Sequence, residues 1–224
     1  MISAQIWTEA RVHALRDVTP TVREITLKPV QGAWLHQPGG SIILGGVPLH
    51  KLPSHERAAA AAGIGWVPQE RNIFKSLTVD ENLTAVARPA RSGRMALQWT
   101  PLRVYEMFPR LAERKNNLGT QLSGGEQQML AVGRALVLNP ALLLLDEPLE
   151  GLAPIIVQEL LRALSRITRE EGLSAIIVEQ HPQAILAISD SAVVLDHGTV
   201  VHAGTAQSLS KDPQLLERLL GVSR

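Results

Sequence analysis

Leu142 to Pro148 reads LLLLDEP, an apolar run that ends on two adjacent carboxylates. A run of that kind is expected to form a central buried strand, delivering its last residues to the carboxyl edge of a parallel sheet, where α/β proteins bind ligands. Two carboxylates at such an edge are costly unless a cation lies near. A magnesium ion bound to nucleotide phosphates would supply that charge, with Asp146 holding it through water. Glu147 could then orient or deprotonate an attacking water. The plainer alternative is a strand ending in a solvated acidic turn.

A second stretch, LSGGEQQ at Leu122 to Gln128, opens a helix. Ser123 and Glu126 have the S-x-x-E spacing of a capping box. Gly124 and Gly125 stand in the first turn, where glycine is unfavourable. Their presence makes sense if an anion approaches bare amides at the positive end of the helix dipole. An ordinary capped helix accounts for Ser123 and Glu126 but not for the glycines. Two weaker candidates follow short apolar runs. Gln69, in GIGWVPQE, could contact magnesium or the attacking water, and His181, in IIVEQHP, could reach a phosphate. A lone histidine in such a place is more often a plain loop residue. No HExxH or comparable metal spacing occurs.

The order Gln69, LSGGEQQ, LLLLDEP, His181 strongly resembles the ATP-binding cassette of ABC transporters. The resemblance covers residues 12–22 and 40–224. It implies that Gln69 is the Q-loop glutamine, that Ser123, Gly124, Gly125, Glu126, Gln127 and Gln128 belong to the signature motif, that Asp146 is the Walker B aspartate, Glu147 the catalytic base and His181 the switch histidine. ATP and Mg2+ are the implied cofactors, with Asp146 and Gln69 as the metal contacts. Within the family, GIGWVPQERNIFKSLTVDENL, DEPLEGLAP and IIVEQH are similar to the smaller ATP-binding subunit of branched-chain amino acid uptake systems; a urea or amide importer is the alternative. Such subunits imply a second cassette, as a homo- or heterodimer, two transmembrane permease subunits and, indirectly, a periplasmic binding protein. The implied location is the cytoplasmic face of the membrane.

One expected element is missing. A phosphate cradle has the form G-x-x-x-x-G-K-[ST], and no match exists in the chain. Lys28 follows Leu27 and precedes Pro29, which removes an amide and disfavours helical geometry at Lys28, so Lys28 is not a phosphate lysine. Residues 25–38 offer little of the strand, loop and helix expected there. Two alternatives follow: a chain that binds and hydrolyses ATP as a full subunit, or an impaired cassette that completes a partner's ATP site through Ser123, Gly124 and Gly125.

These residues need a scaffold. The patterns predict strands at 41–44, 64–67, 141–146 and 174–178, and a hairpin from 192–195 and 199–202 about Asp196-His197-Gly198. Helices are expected at 53–63, at 100–114 behind Thr100-Pro101, from Ser123 to Leu138, from Pro154 to Glu171, and at 215–220. In the helix from Pro154, the apolar face comprises Val157, Leu160, Leu161, Leu164 and Ile167. Strands alternating with amphipathic helices argue for an α/β fold with a mostly parallel sheet. The expected organisation is one cassette domain over 1–224, with a helical subdomain at 71–138.

Bulk composition agrees. The chain has 224 residues, 45% hydrophobic, a net charge of +1 and no cysteine, so disulfides and thiolate-ligated zinc are excluded. Four tryptophans, one tyrosine and two phenylalanines are too few for base-stacking platforms, and no basic excess draws the chain to nucleic acid. No apolar run reaches the roughly 20 residues of a membrane helix, so the chain itself is expected to be soluble.

Overall fold

The computed structural model describes residues 10–17, 23–29, 43–44, 47–48, 63–89, 98–140, 142–180, 182–196 and 199–220. Strand β1 (Ala10–Asp17) pairs antiparallel with β2 (Arg23–Pro29), and β3 (Ile43–Leu44) with β4 (Val47–Pro48). Of residues 25–38, which offer little of the expected strand, loop and helix, 25–29 lie in β2 and 30–38 lie outside the described residues. Lys28 lies opposite Arg11 in this ladder, on extended backbone, which agrees with its rejection as a phosphate lysine. The helix expected at 53–63 lies outside the described residues.

The chain divides into two compact units, one of residues 1–57 with 180–224 and the other of 58–179. The second holds a three-stranded parallel sheet, β5 (Ile64–Val67), β6 (Leu142–Asp146) and β7 (Ser174–Val178), with β6 in the centre. Central position explains the uninterrupted leucines of β6, of which Leu142, Leu143 and Leu145 are buried. Full burial of each such side chain contributes about 1.5–3 kcal/mol.

Between β5 and β6 come α1 (Val79–Thr84), α2 (Pro101–Met107), α3 (Pro109–Glu113), a 3-10 turn (Gly119–Gln121) and α4 (Gly124–Leu136). The single helix expected over 100–114 is two. Pro109 disfavours helical backbone at Phe108, which sits at φ −126°, ψ 79°. Thr100 caps α2 by accepting from the Arg103 amide at 3.3 Å. Helix α4 buries Met129, Leu130, Val132 and Leu136, and packs against β5 where Gly65 meets Ala135. It ends before Asn139, which takes a left-handed φ of 53° and satisfies local backbone by accepting from Trp99 N.

Helix α5 (Pro154–Arg169) starts with proline at its first position. Leu160, Ala163, Leu164 and Ile167 are its buried stripe; Val157 and Leu161 are half-buried on the edges. Gly172, at φ 66°, turns the chain into β7.

In the first unit, α6 (Gln183–Leu186) precedes β8 (Ser191–Asp196) and β9 (Thr199–Thr205), which form the expected antiparallel hairpin. Helices α7 (Ala206–Ser210) and α8 (Pro213–Leu219) complete it, and Leu186, Ala206, Leu209 and Leu216 make a small core. Among the described residues no helix is long and apolar enough to cross a membrane.

Candidate functional site

The sheet assembles the first cluster. Strand β6 carries Asp146 to its carboxyl end, and the next residue, Glu147, turns away with a left-handed φ of 45°. That conformation is costly for a non-glycine residue and persists where surroundings enforce it. Here the Glu147 amide donates to the Val178 carbonyl of β7 at 2.9 Å, and the Glu150 amide donates to the Glu147 carbonyl at 3.2 Å. From the end of β5, Gln69 reaches across: its Nε2 donates to Glu147 Oε2 at 3.0 Å and to Glu150 Oε2 at 2.5 Å. From the end of β7, Glu179 accepts from the Leu149 amide at 2.9 Å.

Asp146 is half-buried; burial pushes its carboxyl above the ordinary range, and the nearby Glu70 charge adds to the effect. Gln69 thus bridges Glu147 and Glu150, and Glu70 lies near enough to Asp146 for its charge to act on that carboxyl. Among the described residues no three acidic or histidine side chains converge as a closed metal cage.

A second cluster stands at the start of α4. Ser123 Oγ accepts from the Glu126 amide at 3.3 Å, and Glu126 Oε2 accepts from the Ser123 amide at 2.7 Å, so the capping box is complete. Burial works to raise the Glu126 carboxyl, but the hydrogen bonds from Ser123 and the Arg114 guanidinium outweigh it and hold Glu126 below its ordinary value. Arg114 Nε lies 3.4 Å from Glu126 Oε1.

The two glycines differ. Gly124 is exposed, and a Cβ there would stand 3.1 Å from Arg71 Nη1. Gly125 is buried, and a Cβ there would stand 2.6 Å from Ile156 Cγ2 on α5. Helix packing alone therefore requires glycine at 125, whereas Gly124 has the open face that an approaching anion needs. Gln127 turns back, its Nε2 donating to the Gly119 and Leu122 carbonyls at 3.3 and 3.2 Å, so its side chain braces the preceding turn.

Residues 69–74 join the clusters. Arg71 and Asn72 are consecutive left-handed residues, at φ 66° and 47°. Arg71 Nε donates to Gln128 Oε1 at 3.0 Å, Arg134 Nη1 donates to the Asn72 carbonyl, and the Arg134 guanidinium lies 4.0 Å over the Phe74 ring. Gln69 and Glu147 are joined by a hydrogen bond, Asp146 precedes Glu147 at the end of β6, and Ser123 to Gln127 form a separate group. His181 lies outside the described residues. Glu150 and Arg71 are members that sequence reasoning did not single out. The E-x-x-E spacing of Glu147 and Glu150 was a usable signal, since a tight turn places both on one side.

A parallel sheet with an acidic turn after its central strand, a glutamine from the neighbouring strand and an S-G-G-E-Q-capped helix define a nucleotide-binding cassette of the transporter type. Residues 31–150 match the family model for ABC transporter, and the chain belongs to that family. The high-affinity branched-chain amino acid transport ATP-binding protein BraG of Pseudomonas aeruginosa is 37% identical across 94% of this chain and 94% of its own. The lipopolysaccharide export system ATP-binding protein LptB of Haemophilus influenzae is 34% identical across 84% of this chain and 76% of its own. The dimeric structure of MJ0796, a bacterial ABC transporter cassette, superposes with a TM-score of 0.63 at 25% identity, covering 80% of this chain and 75% of that one.

Proposed function

We propose that this chain is an ATP-binding, energising subunit of an ABC importer for branched-chain amino acids. The observation that carries this reading is the 37% identity to BraG along 94% of both chains, joined to an acidic sheet edge and a donor-rich helix start in the same unit. Similarity to BraG favours branched-chain amino acids over urea or amides.

In this reading Asp146 and Gln69 would hold a magnesium ion, which would supply neutralising charge to phosphate oxygens. Glu147, steadied by Gln69, orients or takes a proton from the attacking water. Ser123, Gly124 and Gly125 present the start of α4 to nucleotide phosphates across a cassette dimer, with Glu126 and Gln127 holding that turn in shape. His181 is proposed as the switch histidine on the resemblance alone. The helical segment 71–138 is proposed as the subdomain that carries this turn toward the partner. The dimer docks on two permease subunits at the inner face of the membrane, with a periplasmic binding protein as an indirect partner. The comparisons lend no support to the alternative of an impaired cassette.

The test is reconstitution with a partner cassette and permease subunits in vesicles. ATP-driven uptake of labelled leucine is expected, and labelled urea should be excluded. Uptake of urea without leucine would replace the substrate assignment, and no ATP-dependent uptake of either would remove the importer reading.

A further inference from the structure

Arg71 is a half-buried cation with no carboxylate at ion-pair distance among the described residues. Its one hydrogen-bond partner there is neutral, the Gln128 amide. Its guanidinium also faces Gly124, at the positive end of α4. A cation beside a helix N-terminus is electrostatically unfavourable by itself. Glu126, the carboxylate of that first turn, is already engaged by Ser123 and Arg114.

Gln128 supplies a second, independent sign. It is only 2% exposed, and its Nε2 has no partner. It stands four residues after Gly124, on the same helix face, and helical side chains lean toward the N-terminus. Its amide head lies beside Arg71, as the Nε to Oε1 bond of 3.0 Å requires. Free donors on a guanidinium, a buried amide without an acceptor and bare backbone N–H groups thus gather in one place.

We propose that Arg71 is an anion-binding residue, positioned by Gln128, that grips phosphate oxygens brought to the Ser123–Gly124 turn. The ligand class is the polyphosphate of a nucleotide, and the assignment rests on the ATP-binding reading above. A guanidinium presents paired donors to phosphate in a fork that an ammonium cannot reproduce.

Equilibrium binding of MgATP, and separately of pyrophosphate, to the transporter assembled from this chain, a partner cassette and the permease subunits tests it. Arg71→Ala and Arg71→Gln should each weaken both ligands by about ten-fold or more, and Arg71→Lys should restore part of the loss. Thermal melting of the variants separates this from a folding defect; if Arg71→Ala melts early, the Lys and Gln variants decide, and equal affinities for those two overturn the proposal. MgATP affinity unchanged in Arg71→Ala overturns it while leaving the ATP-binding reading intact. Loss of MgATP affinity with pyrophosphate unaffected also overturns it, because Arg71 would then act on the nucleoside. A wild-type assembly that binds no MgATP overturns both.

Discussion

Gln69 Nε2 donates to Glu147 Oε2 at 3.0 Å, so a neutral amide from the end of β5 holds the carboxylate that follows β6. The same amide also reaches Glu150. Replacement by Gln69→Glu turns this donor into a third carboxylate. The variant is expected to lose about 1 kcal/mol at neutral pH, a modest value because the groups are solvent-accessible. Protonation of any one of the three carboxylates removes the added repulsion. The deficit is therefore present above the ordinary carboxylate range and shrinks as pH falls through it. Added magnesium chloride should relieve part of the deficit. Denaturant unfolding at two pH values, with and without magnesium, checks this.

Gly125 is fixed by packing. A Cβ there would stand 2.6 Å from Ile156 Cγ2 and 3.1 Å from Cγ1. Gly125→Ala should cost about 1–3 kcal/mol through overpacking. In an Ile156→Ala background, which removes these two atoms and leaves only the Cβ at 3.3 Å, the same change should cost much less. A double-mutant cycle by chemical unfolding measures the coupling.

The chain has one tyrosine, so its alkaline titration reports a single site. Burial of Tyr105 raises its pKa well above 10.0, and its hydroxyl, which donates to Asp80 Oδ1 at 2.8 Å, raises it further. A raised folded-state value means that the stabilisation is present below pH 10.0 and fades as pH climbs above it. Ultraviolet titration of the native protein should show tyrosinate only well above the range of the unfolded chain. Asp80→Asn should lower the midpoint part of the way, leaving the share due to burial.

Glu126 behaves in the opposite sense, because its folded pKa lies below the ordinary 4.5. Its contribution is present above that value and is lost as pH falls through the folded one. Stability measured across the acid range should therefore fall less steeply in Glu126→Gln than in the wild type.

Local signals explain what was legible in the residues alone. LLLLDEP specified a buried strand with an acidic end because a central parallel strand has no polar face. Ser123 and Glu126 specified a helix start because both halves of a capping box lie within four residues. The packing constraint on Gly125 was not legible because it comes from Ile156, far along the chain. The break at Phe108 was legible in principle, from Pro109, but the two helices share one apolar pattern. Glu150 took on meaning only when the sheet brought β5 and β6 side by side, and Arg71 only when its guanidinium met Gln128 of α4.

The claim that most of this reading depends on is that the open turn at Ser123–Gly124 completes a nucleotide site. Gly124→Asp tests it directly, since it adds a carboxylate at an exposed position of ordinary backbone and leaves Gly125 in place. In the reconstituted transporter, ATP turnover should fall by at least about ten-fold, because the added charge pairs with Arg71 and repels phosphate. Turnover equal to that of the wild type, in a variant with unchanged melting temperature, would contradict the claim.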